Sequence, residues 1–199
     1  MKSADFDTIV IGAGPAGSTA AALLAEKGHN VALLEKTKFP RYHVGESLMP
    51  FCYFPLERLG LASKMDEIGF TKKFSVQFVT EDGCQSRPFY FFQHYDHPSS
   101  TTWQVLRSQF DELIMDKARE NGAEVRELTT VKSFIEESGS IAGVNVTSRD
   151  SEAYQLRAPM VIDASGRDTI AQNKRKWKKR DPELNKIAIW TYYKGAKRD

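Results

Sequence analysis

The sequence is poor in cysteine, in net charge and in uninterrupted apolar runs, and each shortage excludes a class of protein. Its 199 residues include 2 cysteines, Cys52 and Cys84, which form no CxxC pair and have no neighbours spaced as metal ligands. A disulfide scaffold or a zinc site is therefore not expected. We predict no bound metal and a reducing, cytoplasmic location.

Charges of the two signs nearly cancel, because 28 lysines and arginines face 26 acidic residues and leave a formal net charge of +2. This balance predicts no nucleic-acid partner and no membrane partner. The basic run KRKWKKR at 174–180 is followed at once by Asp181 and Glu183. We interpret it as a solvated surface; the alternative is a nucleic-acid or nuclear-localisation patch.

One apolar stretch, TIVIGAGPAGSTAAALLA at 8–25, needs to be tested as a membrane segment. Glycines and a proline interrupt it, Asp5 and Asp7 precede it, and Glu26-Lys27 ends it. It therefore predicts neither a transmembrane span nor a signal peptide.

The same stretch is typical of a β-α-β unit. Residues 6–11 and 30–36 are apolar enough for buried strands, and the alanine-rich segment between them favours a helix that ends at Gly28. Strand, helix and strand within about thirty residues indicate a parallel sheet with a right-handed crossover.

The rest of the chain continues this mixed pattern. Apolar residues at helical spacing predict a helix over 107–121, and 51–68 is typical of helical pieces broken by Pro55 and Gly60. Strand patterns occur at 74–80, 87–92, 123–163 and 187–193. The first two favour a hairpin, in which the aromatic run FYFF at 89–92 would either belong to the sheet core or line a substrate cavity. Because a strand at the chain's end would have few partners, we expect the chain to be the N-terminal portion of a longer protein.

The loop GAGPAG carries the strongest chemical signal. Gly12 permits the tight turn, Gly14 lets the backbone approach a pyrophosphate, and Gly17 lets the helix pack on the strand. The free N–H groups and the dipole at the start of the helix bind phosphate. We predict dinucleotide binding, with a purely structural glycine turn as the alternative; the binding residues would be Gly12, Ala13, Gly14, Ala16 and Gly17.

Four other residues, at strand ends or at a helix start, are candidates for contact with a bound dinucleotide. Glu35 ends the second strand and can accept hydrogen bonds from ribose hydroxyls. Asp163 and Gly166, in the turn after a buried strand, can orient a flavin or its ribityl chain, or Asp163 could cap a helix that follows. Arg107, at a helix start, could reach a pyrophosphate or could be solvated surface.

Three segments together resemble one family. Residues 12–50, which include FPRYHVGES, the helix region 103–125 and VIDASGR at 161–167 resemble flavin-dependent halogenases and their para-hydroxybenzoate hydroxylase-like relatives. FPRYHVGES is more specific than the glycine motif, although geranylgeranyl-reductase-type relatives carry similar segments. The resemblance covers essentially the whole chain and implies that FAD is the cofactor.

The resemblance also implies roles within FPRYHVGES. Arg41 would lie near the phosphate and ribose side of the cofactor, and Glu46 and Ser47 would lie close to the isoalloxazine ring. Alternatively, His43 and Glu46 pair with each other or with Arg41.

Lys73, in GFTKKF at 69–74, matches the position of the family's catalytic lysine. In the family, reduced flavin, oxygen and halide give hypohalous acid, which a lysine can hydrogen-bond or carry as a haloamine to an electron-rich ring. The alternative is that Lys72 and Lys73 are two solvated charges at the start of a strand.

The predicted fold is a three-layer α/β FAD-binding (Rossmann-like) domain with a parallel sheet. It would comprise residues 1–72 and 101–172, and residues 73–100 and 173–199 would be pieces of an incomplete, β-rich substrate domain.

The implied function is that of an FAD-dependent halogenase-like oxidoreductase acting on an electron-rich aromatic small molecule with halide and oxygen. No nicotinamide-binding domain is visible, so a separate flavin reductase would supply the reduced flavin. The alternatives are an FAD-dependent hydroxylase or a geranylgeranyl-reductase-like enzyme, in which Lys73 would be incidental, and an inactive FAD-binding fragment. The sequence does not predict the substrate, the halide or the oligomeric state.

Overall fold

The predicted β-α-β unit lies at the centre of the protein. The computed structural model describes residues 3–149, 151–185, 187, 189–191 and 194–195. Its α-helices are α1 Pro15–Glu26, α2 Tyr53–Arg58, α3 Ala62–Glu67, α4 Arg107–Glu120 and α5 Ile170–Lys174. Its strands are β1 Thr8–Ile11, β2 Val31–Leu34, β3 Thr71–Lys73, β4 Ser75–Val76, β5 Phe89–Tyr90, β6 Thr102–Gln104, β7 Glu124–Arg126, β8 Thr129–Glu137, β9 Ser140–Ser148, β10 Ser151–Arg157 and β11 Met160–Asp163.

A four-stranded parallel sheet in the order β11-β1-β2-β7 forms the middle layer. Every residue of β1 and β2 is buried, because both faces of this sheet are covered. That is why both strands are continuous apolar runs rather than alternating ones.

The two faces of the sheet are covered by different layers. On one face, α1 and α4 pack on each other and on the sheet through a core that includes Val10, Ala21, Ala25, Leu33, Phe110 and Met115. On the other face lies the antiparallel sheet β10-β9-β8, and the core between the sheets includes Ile9, Ile11, Leu34, Phe134, Val144 and Leu156. The predicted three-layer α/β architecture is therefore confirmed.

A smaller antiparallel arrangement brings distant segments together. β3 pairs with β6, and the other edge of β6 pairs with residues 46–48, where Ser47 lies opposite Gln104. The Leu48 N–H donates to the Trp103 carbonyl at 3.0 Å, and the Val105 N–H donates to the Glu46 carbonyl at 2.8 Å. The segment FPRYHVGES therefore ends one strand away from Lys73.

Three predictions of local structure need correction. Pro55 lies in the first turn of α2 and does not break it, because an N–H is not needed there; Gly60 does separate α2 from α3. The predicted hairpin is present, but its strands β4 and β5 are only two residues each. The run at 89–92 is not sheet core: Phe91 is buried, but the hairpin is too short to cover the other three side chains.

The strand predicted at 187–193 is absent from its described residues. Residues 187 and 189–191 adopt no strand, and 188, 192 and 193 lie outside the described residues. Among the described residues, no strand pairs with 187 or 189–191. The division into two domains stays a prediction. Within the described part of the chain, no helix has both the length and the apolar character needed to cross a bilayer.

Candidate functional site

The glycine-rich loop connects β1 to α1, and two of its glycines are required by the packing of the loop itself. Gly12 has φ +97°, and a Cβ there would lie 2.6 Å from the Ala164 carbonyl oxygen. A Cβ at Gly17 would lie 1.9 Å from the Gly12 carbonyl oxygen. Real Cβ atoms do not come that close to backbone, so these glycines let α1 pack on the strands, as the sequence predicts.

Gly14 is different, because the protein's own packing does not require a glycine there. Its backbone is ordinary extended (φ −70°, ψ 178°), and it precedes the first turn of α1. A Cβ at Gly14 would have only the Arg41 guanidinium within 4 Å, at 3.8 Å. The space in front of the first N–H groups of α1 is therefore open, which fits a phosphate-bearing ligand.

Glu35, just after β2, holds the loop in place. Its buried carboxylate accepts a hydrogen bond from the Ala13 N–H at 2.9 Å through Oε2. Oε1 accepts from the Thr37 N–H at 2.9 Å and from the Thr37 hydroxyl at 2.7 Å. Because each carboxylate oxygen accepts about two hydrogen bonds, Oε2 retains capacity for a ribose hydroxyl. The ribose role of Glu35 remains a prediction.

A buried cluster of opposite charges lies beside the loop. Asp111 of α4 is fully buried and accepts two hydrogen bonds from one edge of the Arg107 guanidinium, from Nε at 2.7 Å and from Nη2 at 2.9 Å. Its Oδ2 also lies 3.3 Å from the Arg41 guanidinium. Arg107 donates in addition to the carbonyl oxygens of Val44 (2.9 Å) and Gly45 (3.4 Å). Arg107 is therefore not solvated surface; it fastens the FPRYHVGES segment to α4.

Arg41 keeps an unused donor in this cluster. Its Nε is buried, has no hydrogen-bond partner among the described residues, and lies 4.0 Å from Glu35 Oε1. The guanidinium also packs over the Phe39 ring at 4.7 Å. A buried donor without a partner is costly, so this position fits an acceptor brought by a ligand.

A mostly apolar cavity of about 290 Å³ leads away from the loop. It runs from the first turns of α1 to the Gly45–Leu48 segment and to α4. The residues that line it are Pro15, Ala16, Thr19, Gly45, Leu48, Cys52, Pro55, Leu56, Arg107, Phe110 and Ile114. An open helix start, an orphaned guanidine donor and an apolar cavity beside them fit a dinucleotide with an apolar ring system.

Lys73 of β3 contacts residues 47–48, of which Leu48 lines this cavity. Its ammonium group donates to the Ser47 hydroxyl and to the Leu48 carbonyl oxygen, the latter at 3.3 Å. It also lies over the ring of the buried Phe91 at 5.9 Å. Leu48 is among the residues that line the cavity, so the amine of Lys73 is bound to a residue of the cavity wall.

Lys72 faces the other way. Its ammonium group pairs with Asp66 at 3.0 Å, and the indole N–H of Trp103 donates to the same carboxylate at 3.0 Å. The hydrogen bond from Trp103 and the charge of Lys72 hold the pKa of Asp66 below its ordinary value. The two adjacent lysines thus have separate partners on opposite faces of one strand.

Comparison with known families identifies the architecture. Residues 5–188 match the model of the family described as FAD binding domain. The chain belongs to this FAD-binding domain family. Its cofactor is FAD, and the flavin-dependent halogenase resemblance seen in the sequence is confirmed by the relatives that it matches.

The chain is 37% identical over 196 residues to the 1H-pyrrole-2-carbonyl-(peptidyl-carrier protein) brominase of Pseudoalteromonas luteoviolacea (strain 2ta16), covering 98% of this chain and 46% of that protein. It is 35% identical over 213 residues to the flavin-dependent halogenase ptaM of Pestalotiopsis fici (strain W106-1 / CGMCC3.15140), covering 98% and 39%. The structure of the myxobacterial chondrochloren halogenase CndH has a TM-score of 0.76 and 35% identity, covering 82% and 38%. The chain spans less than half the length of these relatives.

The residues after β11 have protein partners of their own. The Asp163 carboxylate accepts from the Ser165 N–H at 3.0 Å and from the Ala171 N–H at 2.7 Å, so it caps the turn and the start of α5. This supports the capping alternative for Asp163. Gly166 occupies that turn with φ +61°. Contacts of Asp163 and Gly166 with FAD remain predictions.

The alternative pairing inside FPRYHVGES can also be compared with the structure. The ion pairs of Arg41 are with Glu35 and Asp111, and a ring nitrogen of His43 lies 2.8 Å from the Val44 carbonyl oxygen. Glu46 accepts from the Gly45 N–H at 3.0 Å. These contacts shape the segment beside the cavity, and the proximity of Glu46 to the flavin ring remains a prediction.

Gly14→Ala should weaken FAD binding without weakening the fold. The new methyl group would occupy the space through which the pyrophosphate approaches α1, and a clash of this kind lowers affinity by about tenfold or more. Because the methyl group meets no protein atom closer than 3.8 Å, the free energy of unfolding should change little. FAD titration by flavin fluorescence and urea unfolding of the FAD-free protein measure the two effects.

Gly28→Ala is the matched control. Gly28 has φ +83° just after α1, and nothing lies within 4 Å of a Cβ there. The strained backbone should cost roughly 1–2 kcal/mol of stability, and the intrinsic FAD affinity should stay the same. Equal FAD affinity in Gly14→Ala and wild type would contradict the assignment of Gly14.

Proposed function

We propose that this chain contributes the FAD site and the catalytic lysine of an FAD-dependent halogenase that acts on an electron-rich aromatic small molecule. The observation that carries the proposal is the position of Lys73, whose amine is bound to the segment that lines the cofactor cavity. A hydroxylase or a geranylgeranyl-reductase-like enzyme gives no reason for an amine there. The similarity to flavin-dependent halogenases supports the same choice.

When bound, reduced FAD supplies the oxidant: with oxygen, halide and a proton it yields oxidised FAD, hypohalous acid and water. The protein's part is to hold the cofactor and to direct that oxidant. The Glu35-anchored loop and the start of α1 would bind the adenosine diphosphate half, and Arg41 would meet its phosphate and ribose side. The segment fastened by Arg107 would border the flavin.

Lys73 would then act on hypohalous acid. Its ammonium group can donate a hydrogen bond to the oxidant's oxygen and so make the halogen more electrophilic. The aromatic ring takes up the halogen and releases a proton, which combines with the oxidant's hydroxide to form water. Atoms balance, since one ring hydrogen is replaced by one halogen and each hypohalous acid yields one water.

An electron-rich ring is the substrate class that this chemistry requires. The brominase relative is named for a pyrrole-2-carbonyl group, and a pyrrole is such a ring. We infer that halide and a separate flavin reductase complete the system. The cytoplasmic location predicted from two cysteines, which are both free in the structure, belongs to this proposal as well.

Assay of the complete gene product tests the proposal. The protein would be supplied with FAD, a separate flavin reductase and its nicotinamide, oxygen, and bromide or chloride, together with a panel of phenols, indoles and pyrroles. Mass spectrometry should show a product that carries the isotope pattern of the halogen. Products that are only hydroxylated, or only reduced, would overturn the halogenase proposal.

A further inference from the structure

We infer that Ser47 is the positioning residue for Lys73: its hydroxyl, carried on the flavin-bordering segment, holds the ammonium group at the cavity wall. The inference rests on the proposed function for its catalytic meaning. It assigns to Ser47 a role toward Lys73, in place of the contact with the flavin ring that the family resemblance implies.

The register of the small antiparallel sheet places the two side chains on one face. Lys73 is paired with Thr102 on one edge of β6, and Ser47 lies opposite Gln104 on the other edge. Thr102 and Gln104 are two residues apart, so they share a face of the strand, and directly paired residues project to the same side. The strand pairing therefore places the side chains of Ser47 and Lys73 on the same face of the sheet, where they meet above β6.

The opposite face of the same strands shows how a lysine is held by an acidic partner. Lys72 is paired with Trp103, and both side chains bind Asp66 on that side. A lysine that needed only a counter-charge would be satisfied there. Lys73 is instead given a neutral hydroxyl and a carbonyl oxygen, which orient an ammonium group without neutralising it.

This arrangement leaves one N–H group of the Lys73 ammonium without a hydrogen bond to Ser47 or Leu48. An ammonium group has three N–H donors, and Ser47 and Leu48 accept from two of them. A third donor remains for the oxidant. The lysine side chain has four rotatable bonds, so a hydrogen bond to one carbonyl oxygen alone would leave the amine mobile. The second hydrogen bond, to the hydroxyl of Ser47, fixes the direction of the amine. Ser47 touches Lys73 rather than the reacting atoms, so its role is positional.

Competitive acylation tests the contact without using enzyme activity. FAD-bound wild type and Ser47→Ala would be labelled with acetic anhydride, and the labelling rate of Lys73 relative to Lys72 would be measured by mass spectrometry. Loss of the hydroxyl should raise the relative rate for Lys73 by several-fold, because hydrogen bonding to Ser47 restricts the amine. Ser47→Thr keeps the hydroxyl and should label like wild type. An unchanged ratio in Ser47→Ala would overturn the inference.

Turnover then shows what the contact does. In Ser47→Ala, oxidation of reduced FAD should proceed at the wild-type rate, while halogenated product falls by about tenfold and more hypohalous acid is captured by an added scavenger. Ser47→Thr should restore coupling. A loss of FAD affinity or of flavin oxidation in Ser47→Ala, with coupling intact, would assign Ser47 to the flavin and overturn the inference.

The proposed function and this inference fail in different ways. If wild type forms no halogenated product, the halogenase proposal falls, while the acylation ratio still decides whether Ser47 holds Lys73. If wild type halogenates and Ser47→Ala is equally coupled, the proposed function stands and the positioning role is overturned.

Discussion

Alanine at position 111 is expected to lower the free energy of unfolding by roughly 3–5 kcal/mol, a large share of the stability of an ordinary domain. Asp111 is fully buried between two arginines, and it pairs with Arg107 through both oxygens and with Arg41 through one. Its removal leaves buried guanidinium charge without its main partner. Urea unfolding of the FAD-free protein should show an earlier midpoint with an unchanged slope.

FAD binding should weaken in the same variant. Without Asp111, Arg107 is free to leave the carbonyl oxygens of Val44 and Gly45, and the segment beside the cavity loses its anchor to α4. Asp116→Ala, on the same helix, is the control, because Asp116 pairs with Arg119 at the surface and should contribute less than about 1 kcal/mol. Equal stability of the two variants would show that the buried cluster is not a stabilising element.

The parts of the site that the sequence predicts are those whose physical requirement is local. The loop from Gly12 to Gly17 joins adjacent elements. The spacing of its glycines over six residues is therefore enough to predict the tight turn and the close packing of the helix on the strand. Glu35 directly follows β2, the second strand of the same β-α-β unit. These residues could be read in order along the chain because the fold places them in that order.

The parts that sequence reasoning missed depend on contacts between distant segments. Arg107 donates to a carbonyl oxygen 63 residues earlier, and this long-range contact, which helps to bury its guanidinium, leaves no local pattern in the sequence. Asp111 left one signal, its i+4 spacing from Arg107 on a helix, but many surface ion pairs have the same spacing. The contact of Ser47 with Lys73, 26 residues apart, follows from strand register that no local pattern specifies.

Errors of the sequence analysis have a related cause. The aromatic run at 89–92 is apolar enough for a core, but its burial requires a second layer over β5, and among the described residues only Phe91 of this run is covered. Hydrophobicity predicts a preference for burial and does not supply the covering element. At 187 and 189–191, apolar and aromatic residues likewise predict a strand, and these described residues form none.

Lys73→Ala has the largest expected effect on activity: halogenated product should fall below detection in the complete gene product. The amine is bound to Ser47 and to the cavity-lining Leu48, and alanine removes the group that directs the oxidant in the proposed mechanism. The described contacts of Lys73 are with Ser47, Leu48 and the Phe91 ring, and none of them is with the glycine-rich loop. FAD affinity and the rate of flavin oxidation should therefore remain near wild type. Product formation and flavin oxidation would be followed side by side.

Lys72→Ala is the matched control for charge. It removes the same ammonium group one residue earlier, but its partner is Asp66 on the opposite face of β3, and both side chains of that pair are about half exposed. Product formation should therefore stay close to wild type. A general electrostatic role for basic residues on β3 would make the two variants alike, because charges one residue apart act similarly at a distance. Halogenation that survives in Lys73→Ala would show that Lys73 is not the catalytic lysine, whatever the state of Lys72.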